Sequence, residues 1–218
     1  MAKQFLIIGA GRFGASVAKT LYGLGHDVMV VDIDEEIIQN ISGDVTSAVQ
    51  ADAASEKALH SLAIGNYDAV VLAISSDMHS SIMAAILLIE MGARYVVAKA
   101  QTDLHGRVLK KLGVNRVVYP EQDMGNKLAH SILAPSIVDL FELSDAYSVV
   151  EVNASEEMSG KTLGALDLRA RHGVSVIAIR SSNGGEINIS PAAEDLIEPD
   201  DLVIAIGNNK DLKGLGWI

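Results

Sequence analysis

From Phe5 to Val118, short runs of β-branched and other apolar residues alternate with longer stretches in which apolar positions recur at helical spacing. This is the pattern of repeated βαβ units. The runs predict strands at residues 5–8, 28–31, 47–50, 69–73, 95–98 and 116–119, with helices between them and short loops. Because the runs are apolar throughout, they suit a parallel sheet covered by helices on both faces. The expected fold class is α/β: a Rossmann-like doubly wound parallel sheet, then a crossover helix and a small C-terminal α+β domain.

After Pro120 the pattern changes. It predicts a helix over residues 122–133, a break at Pro135, a second helical stretch through Phe141, and strand-like sequence after Asp145. The remainder reads as a strand at 148–152, a short helix at 162–170, a strand at 175–179, a turn at Asn183-Gly184-Gly185 and a strand at 202–206. The domain boundaries expected are 1–121, a connector at 122–141, and 142–218. Beyond the last strand, Gly214-Leu215-Gly216 reads as a flexible tail. The segment from Ile82 to Ile89 is apolar around most of a helix, so it is either a fully buried core helix or one that meets another subunit.

The 218 residues suffice for one α/β domain and a small companion, and a content of 49% apolar residues allows a packed core in each. The formal net charge of −11 argues against sequence-independent nucleic-acid binding, which needs clustered cations. The absence of cysteine removes disulfides, thiolate metal sites and thiol nucleophiles. The run of residues 5–8 before Gly9 is too short for a signal peptide, and nothing approaches 18 uninterrupted apolar residues. A chain that is neither secreted nor membrane-spanning is expected.

Candidate chemistry concentrates at the carboxyl ends of the predicted strands. Gly9-Ala10-Gly11-Arg12-Phe13-Gly14 follows the first strand directly and opens a helix, and Asp32 closes the second strand, where an acid reads ribose hydroxyls. A helix N-terminus offers free N–H groups and partial positive charge, so phosphate is the natural occupant. Asp32, with Asp34, Glu35 and Glu36 after it, makes the ribose end acidic and disfavours a 2′-phosphate and hence NADP; Ile33, between them, is expected at the same site. Arg12 adds a cation at the positive end of a helix, which implies a phosphate partner unless the side chain simply points into water. Lys99, at the end of the fifth strand, supplies a second cation on the same edge. Glu121, after Pro120, either meets a phosphate through a divalent cation or is merely a first-turn acid. Asp52 and Ala53 after the third strand, and Ala73, Ile74 and Ser75 after the fourth, are expected to line the adenine and phosphate pocket.

Enzyme signatures are missing from this pattern. No GxSxG, HExxH, Walker lysine loop or HxE motif occurs, and His26, His60, His79, His105, His130 and His172 are scattered without metal spacing, as surface or helix-end residues would be. The glycine fingerprint alone still permits an NAD-dependent oxidoreductase or redox sensor.

Five stretches together resemble the RCK (regulator of conductance of potassium) proteins of the TrkA and Ktr type: residues 7–14 (IIGAGRFG), 31–34 (VDID), 97–101 (VAKAQ), 119–125 (YPEQDMG) and 190–192 (SPA). The resemblance implies a cytoplasmic, non-enzymatic regulatory subunit that forms homodimers and an octameric ring beneath a KtrB- or TrkH-like membrane translocator of potassium. It implies that ATP and ADP, or NAD(H), favour different ring shapes, that Arg12 meets the γ-phosphate, and that Glu121 helps to hold Mg2+ or Ca2+ at a dimer interface. The connector would exchange between neighbours. The C-terminal segment resembles the RCK-C (TrkA-C) module, in which Arg169 and Pro191 match positions that bind cyclic di-AMP. Arg169 and Arg171 read equally well as a solvated helix end.

Overall fold

The structure, a computed structural model, describes residues 1–74, 77–133, 137–182 and 187–218. The chain divides into two compact units, Met1–Glu121 and Gln122–Ile218.

In the first unit the elements run β1 (Gln4–Ile8), α1 (Arg12–Gly23), β2 (Asp27–Asp32), α2 (Glu35–Ile41), β3 (Ser47–Gln50), α3 (Glu56–His60), β4 (Ala69–Leu72), α4 (Met78–Glu90), β5 (Val96–Lys99), α5 (Asp103–Lys111) and β6 (Arg116–Val118). The six strands form one parallel sheet in the order β3-β2-β1-β4-β5-β6. This is the doubly wound order, with its switch point between β1 and β4.

Side-chain alternation explains why the central strands read as continuously apolar. Leu6 and Ile8 pack on one face with Val70, Leu72, Val96 and Ala98, whereas Ile7 packs on the other with Val28, Val30 and Val71. Neither face meets water there, while the edge strand β3 carries Ser47 and Gln50 and leaves Val49 exposed, and β6 opens on an exposed Arg116. Helix α4 has Ala84, Ala85, Leu87 and Leu88 in the first of these cores, while Ile82, Met83 and Ile86 stay half-buried. It is therefore not wholly buried within its own unit.

Helix α6 (Pro120–Leu133) begins at the end of the first unit and continues into the second. The second unit then holds β7 (Ile137–Ser144), β8 (Tyr147–Asn153), α7 (Leu163–Leu166), α8 (Leu168–His172), β9 (Ser175–Arg180), β10 (Ile187–Asn188), β11 (Leu202–Asn208) and α9 (Asn209–Gly214). Its sheet has the order β10-β9-β11-β8-β7, with antiparallel pairs throughout. Val150, Val152, Val203 and Ala205 alternate inward onto Met158, Leu168, Ile197 and Leu212.

Several expectations are overturned here. The helical stretch expected through Phe141 is instead strand β7, which pairs with β8 across the Asp145-Ala146 turn. Register shifts at both ends disturb its alternation, and Val138, Phe141 and Leu143 remain exposed, so the sequence lacks the in–out signature of a half-buried strand. The single helix expected at 162–170 is two short ones, because Asp167 adopts a left-handed conformation with φ 45° between them. Aspartate tolerates that conformation better than most residues. The supposed flexible tail is part of the core: Leu212 is fully buried, Trp217 is 7% exposed, and the Trp217 N–H donates to the Leu212 carbonyl. The break expected at Pro135 and the turn expected at Asn183-Gly184-Gly185 lie outside the described residues.

Candidate functional site

The glycine loop is built by close approach. Gly9 has φ +90°, and a Cβ there would stand 2.9 Å from the Ala73 carbonyl carbon. A Cβ on Gly14 would stand 1.9 Å from the Gly9 carbonyl oxygen, which no side chain can satisfy. Gly11 differs: nothing lies within 4 Å of a Cβ built there. Its smoothness leaves open space at the first turn of α1, as a backbone needs when it cradles a ligand.

Helix N-termini in this unit are treated unequally. At α2, Asp34 accepts from the Glu36 and Ile37 N–H groups at 2.9 and 3.4 Å. At α4, Asp77 accepts from His79 and Ser80 at 3.0 Å each, and also from the Ser80 hydroxyl. At α5, the Thr102 hydroxyl accepts from the His105 N–H at 3.2 Å. Helix α1 begins after Gly11, with no side-chain cap and no acid in its first turn. Its first amides have no intrahelical partners and need an acceptor from elsewhere.

A cavity of about 500 Å3 opens beside this helix end, at the carboxyl ends of β1 to β4. Of the residues expected at the site, it is lined by Gly9, Gly11, Asp32, Ile33, Asp52, Ala53, Ala73 and Ile74. It also takes in Asp34, which the sequence placed at the ribose end, and Ile37, Asp77 and Ser80, which sequence reasoning did not assign. Asp34 and Asp77 were readable as caps in front of helices; what could not be read is that both helices start at the cavity's lip. Ser75 lies outside the described residues.

Asp32 is held from both sides: its Oδ2 accepts from the Ala10 N–H at 2.6 Å and its Oδ1 from the Asp34 N–H at 3.0 Å. The carboxylate thus ties the glycine loop to the end of β2 and leaves its remaining lone pairs toward the cavity. Hydrogen bonds from Ser80 and His79 hold the Asp77 carboxyl below its ordinary value. The cavity mouth is therefore anionic, and its one cationic feature is the helix end.

Arg12, Phe13, Gly14, Lys99 and Glu121 are not in the cavity wall. Arg12 is exposed and forms no ion pair among the described residues. Lys99 and Glu121 are brought together: Lys99 Nζ donates to Glu121 Oε1 at 2.5 Å, and the ammonium lies 6.0 Å from the centre of the Phe13 ring. The Lys99 hydrogen bond holds the Glu121 carboxyl below its ordinary value, with a smaller contribution from Arg12. No cluster of three or more carboxylate or imidazole groups suited to a metal ion occurs among the described residues.

Of the surface and helix-end positions expected for His105, the structure gives the helix end and overturns the surface. It lies in the first turn of α5 but is 1% exposed, with Nε2 unpartnered, and burial lowers its pKa. In the second unit, Arg169 and Pro191 line one cleft of about 360 Å3 with Asp167, Leu163, Val176 and Ala193.

The TrkA-N domain matches residues 5–120 and the TrkA-C domain residues 147–215. The chain is 38% identical over 212 residues to Ktr system potassium uptake protein C of Bacillus subtilis (strain 168), covering 97% of this chain and 95% of that protein. It is 39% identical over 211 residues to the same organism's Ktr system potassium uptake protein A, covering 97% and 94%. Ktr system potassium uptake protein A of Vibrio alginolyticus is 34% identical over 94% of this chain and 92% of its own length. Among solved structures, the GsuK RCK domain matches with a TM-score of 0.71 and 18% identity over 100% of this chain and 47% of that one. A GsuK channel bound to NAD matches with a TM-score of 0.70 and 19% identity over 99% and 39%. At such identities the likeness is one of fold. With both domains matched and its relatives alike over nearly their whole lengths, the chain belongs to the TrkA-N/TrkA-C family, that of the Ktr potassium uptake proteins.

Proposed function

We propose that this chain is a nucleotide-gated regulatory subunit of a potassium-uptake system, acting at the cytoplasmic face of the membrane through a potassium-translocating partner. The observation that carries the reading is the uncapped N-terminus of α1 opening on a 500 Å3 cavity with Asp32 opposite. Phosphates take the α1 amides, the adenosine ribose takes Asp32, and the adenine lies against Ile33, Asp52 and Ala53. ATP and ADP share these contacts and differ only at the terminal phosphate, where Arg12 stands free. NAD(H) fits the same cradle, and a fold neighbour is a channel bound to NAD. A ligand that binds two assemblies unequally shifts their populations without any chemistry.

Assembly belongs to this reading. On α6, Met124, Leu128 and Ile132 recur every four residues and are 64%, 58% and 68% exposed, an apolar stripe suited to a second copy in a homodimer and then a ring of eight. No helix among the described residues is long and apolar enough to cross a membrane; in this reading the partner supplies the membrane contact. A divalent cation does not fit one copy alone, because the single carboxylate present, Glu121, is already paired with Lys99. Mg2+ or Ca2+ at Glu121 would need donors from a second copy and from the phosphates. The shared cleft of Arg169 and Pro191 supports cyclic di-AMP as a second ligand, with the guanidinium on its phosphate.

The test is particle mass by light scattering with ATP, with ADP and without nucleotide, repeated on Arg12→Ala. A mass near eight chains, together with an Arg12→Ala variant weakened about 10-fold for ATP but far less for ADP or NADH, agrees with a guanidinium reading the γ-phosphate. A dimer of unchanged mass that prefers NADH and oxidises a substrate would replace this reading with a dehydrogenase.

A further inference from the structure

Lys99 is the only lysine or arginine that is buried among the described residues. Its side chain is 8% exposed, while that of its partner Glu121 is 71% exposed. The ammonium carries three N–H donors, and the described residues offer it one acceptor, Glu121 Oε1. A buried cation without a counterion is strongly unfavourable. Lys99 therefore requires an anion, and the anion it has comes from water-facing chain at the start of α6 rather than from the core.

The position of the ammonium matters as much as its pairing. Leu72 pairs with Ala98 across β4 and β5, so the next residues are Ala73 in the cavity wall and Lys99 itself. Neighbouring strands lie about 4.8 Å apart. Phe13, which the ammonium approaches to 6.0 Å, is the second residue of α1, whose amides lack acceptors. The buried cation thus stands one strand beyond the cavity wall, beside the helix end where the phosphates begin. A phosphate chain seated on α1 reaches it only if it is long enough.

We propose that Glu121 stands, in the ligand-free chain, in the place at Lys99 that the terminal phosphate of a bound nucleotide takes. Binding is then an exchange of one anion for another on a buried ammonium. Lys99 becomes a second cation, with Arg12, that reads phosphate-chain length, and Glu121 is the internal competitor that holds back weakly charged ligands. A monophosphate cannot displace the carboxylate, whereas a triphosphate can, and the displaced carboxylate turns to the water it already faces. This inference rests on the nucleotide reading above.

The experiment uses the full chain with divalent cations chelated, and measures wild type first. Glu121→Gln removes the competing charge while keeping the side chain's size. It is expected to bind ATP about 10-fold more tightly than wild type, with a smaller gain for ADP and none for AMP. Without ligand the variant melts at a lower temperature, and inorganic tripolyphosphate restores much of the loss while shifting wild type little. Lys99→Met should remove most of the preference for ATP over ADP. If wild type binds ATP but Glu121→Gln binds it no more tightly, or its melting loss is indifferent to tripolyphosphate, Glu121 only stabilises the fold and the exchange is wrong. Lys99→Met that keeps the wild-type preference contradicts it equally. If wild type binds neither ATP nor ADP, the nucleotide reading falls first and takes this one with it.

Discussion

Helices α1 and α5 belong to the same parallel βαβ fold, yet their N-termini are finished in opposite ways. Helix α5 is closed by the protein itself: Thr102 caps it, Asp103 adds an acid, and His105 in its first turn is buried, which lowers its pKa and favours the neutral imidazole. Helix α1 is left open, with glycine where a cap would be and an exposed arginine where an acid would help. Helix α3 also lacks a side-chain cap but carries Glu56 in its first turn; of the helices α1 to α5 only α1 has neither a cap nor an acid, which leaves that end open to an external anion. Stability and binding are thus assigned to different ends of equivalent elements, and substitutions should separate them.

The largest effect is expected where the open end is shaped. Gly14→Ala forces a methyl into the Gly9 carbonyl and should cost at least about 3 kcal/mol, or prevent folding, in denaturant unfolding. An unchanged unfolding midpoint would mean that the loop is not packed as described.

At the closed end, pH is the next lever. Burial lowers the His105 pKa, so the unfolded chain takes up a proton at higher pH than the folded one. The neutral buried imidazole therefore adds stability that is complete above about pH 6.5, the unfolded value, and is lost as pH falls toward the folded value. Melting curves of wild type should fall across that window more steeply than those of His105→Gln; parallel curves would show that the imidazole is not buried.

The smallest effects contrast the two ends directly. Thr102→Ala removes a cap remote from the cavity and should cost about 1 kcal/mol, with nucleotide affinity unchanged. Gly11→Ser supplies the cap that α1 lacks and should stabilise by a few tenths of a kcal/mol while weakening nucleotide binding. If both variants lose stability, or neither affects binding, the two ends are not different in kind.

Much of this was legible in the chain. The six parallel strands announce themselves because both sheet faces are covered, and the glycine loop because its spacing serves a geometry that few other uses require. Eight of the expected site residues do line one cavity. Lys99 and Glu121 were visible as charges on the right edge, but not as partners, since α5 and β6 lie between them in the chain. Strand β7 escaped because Val138, Phe141 and Leu143 are exposed while Leu140 packs on the core, and its register slips, so the periodicity carried no clear sign. Trp217 was obscured by the glycines beside it: Gly216, with φ 71°, reads as slack in sequence but is the bend that returns the tryptophan to the core. His105 was obscured for the opposite reason, since a polar residue in a first helical turn is ordinarily solvated.

Calorimetric titration of ATP, ADP and NADH into the purified wild-type chain bears most directly on the claim that the open end of α1 is a nucleotide site. The account predicts one saturable site per chain for ATP and for ADP, with different heats, and weaker binding of both in Gly11→Ser. No saturable binding of any of the three, or binding that Gly11→Ser leaves untouched, would contradict it.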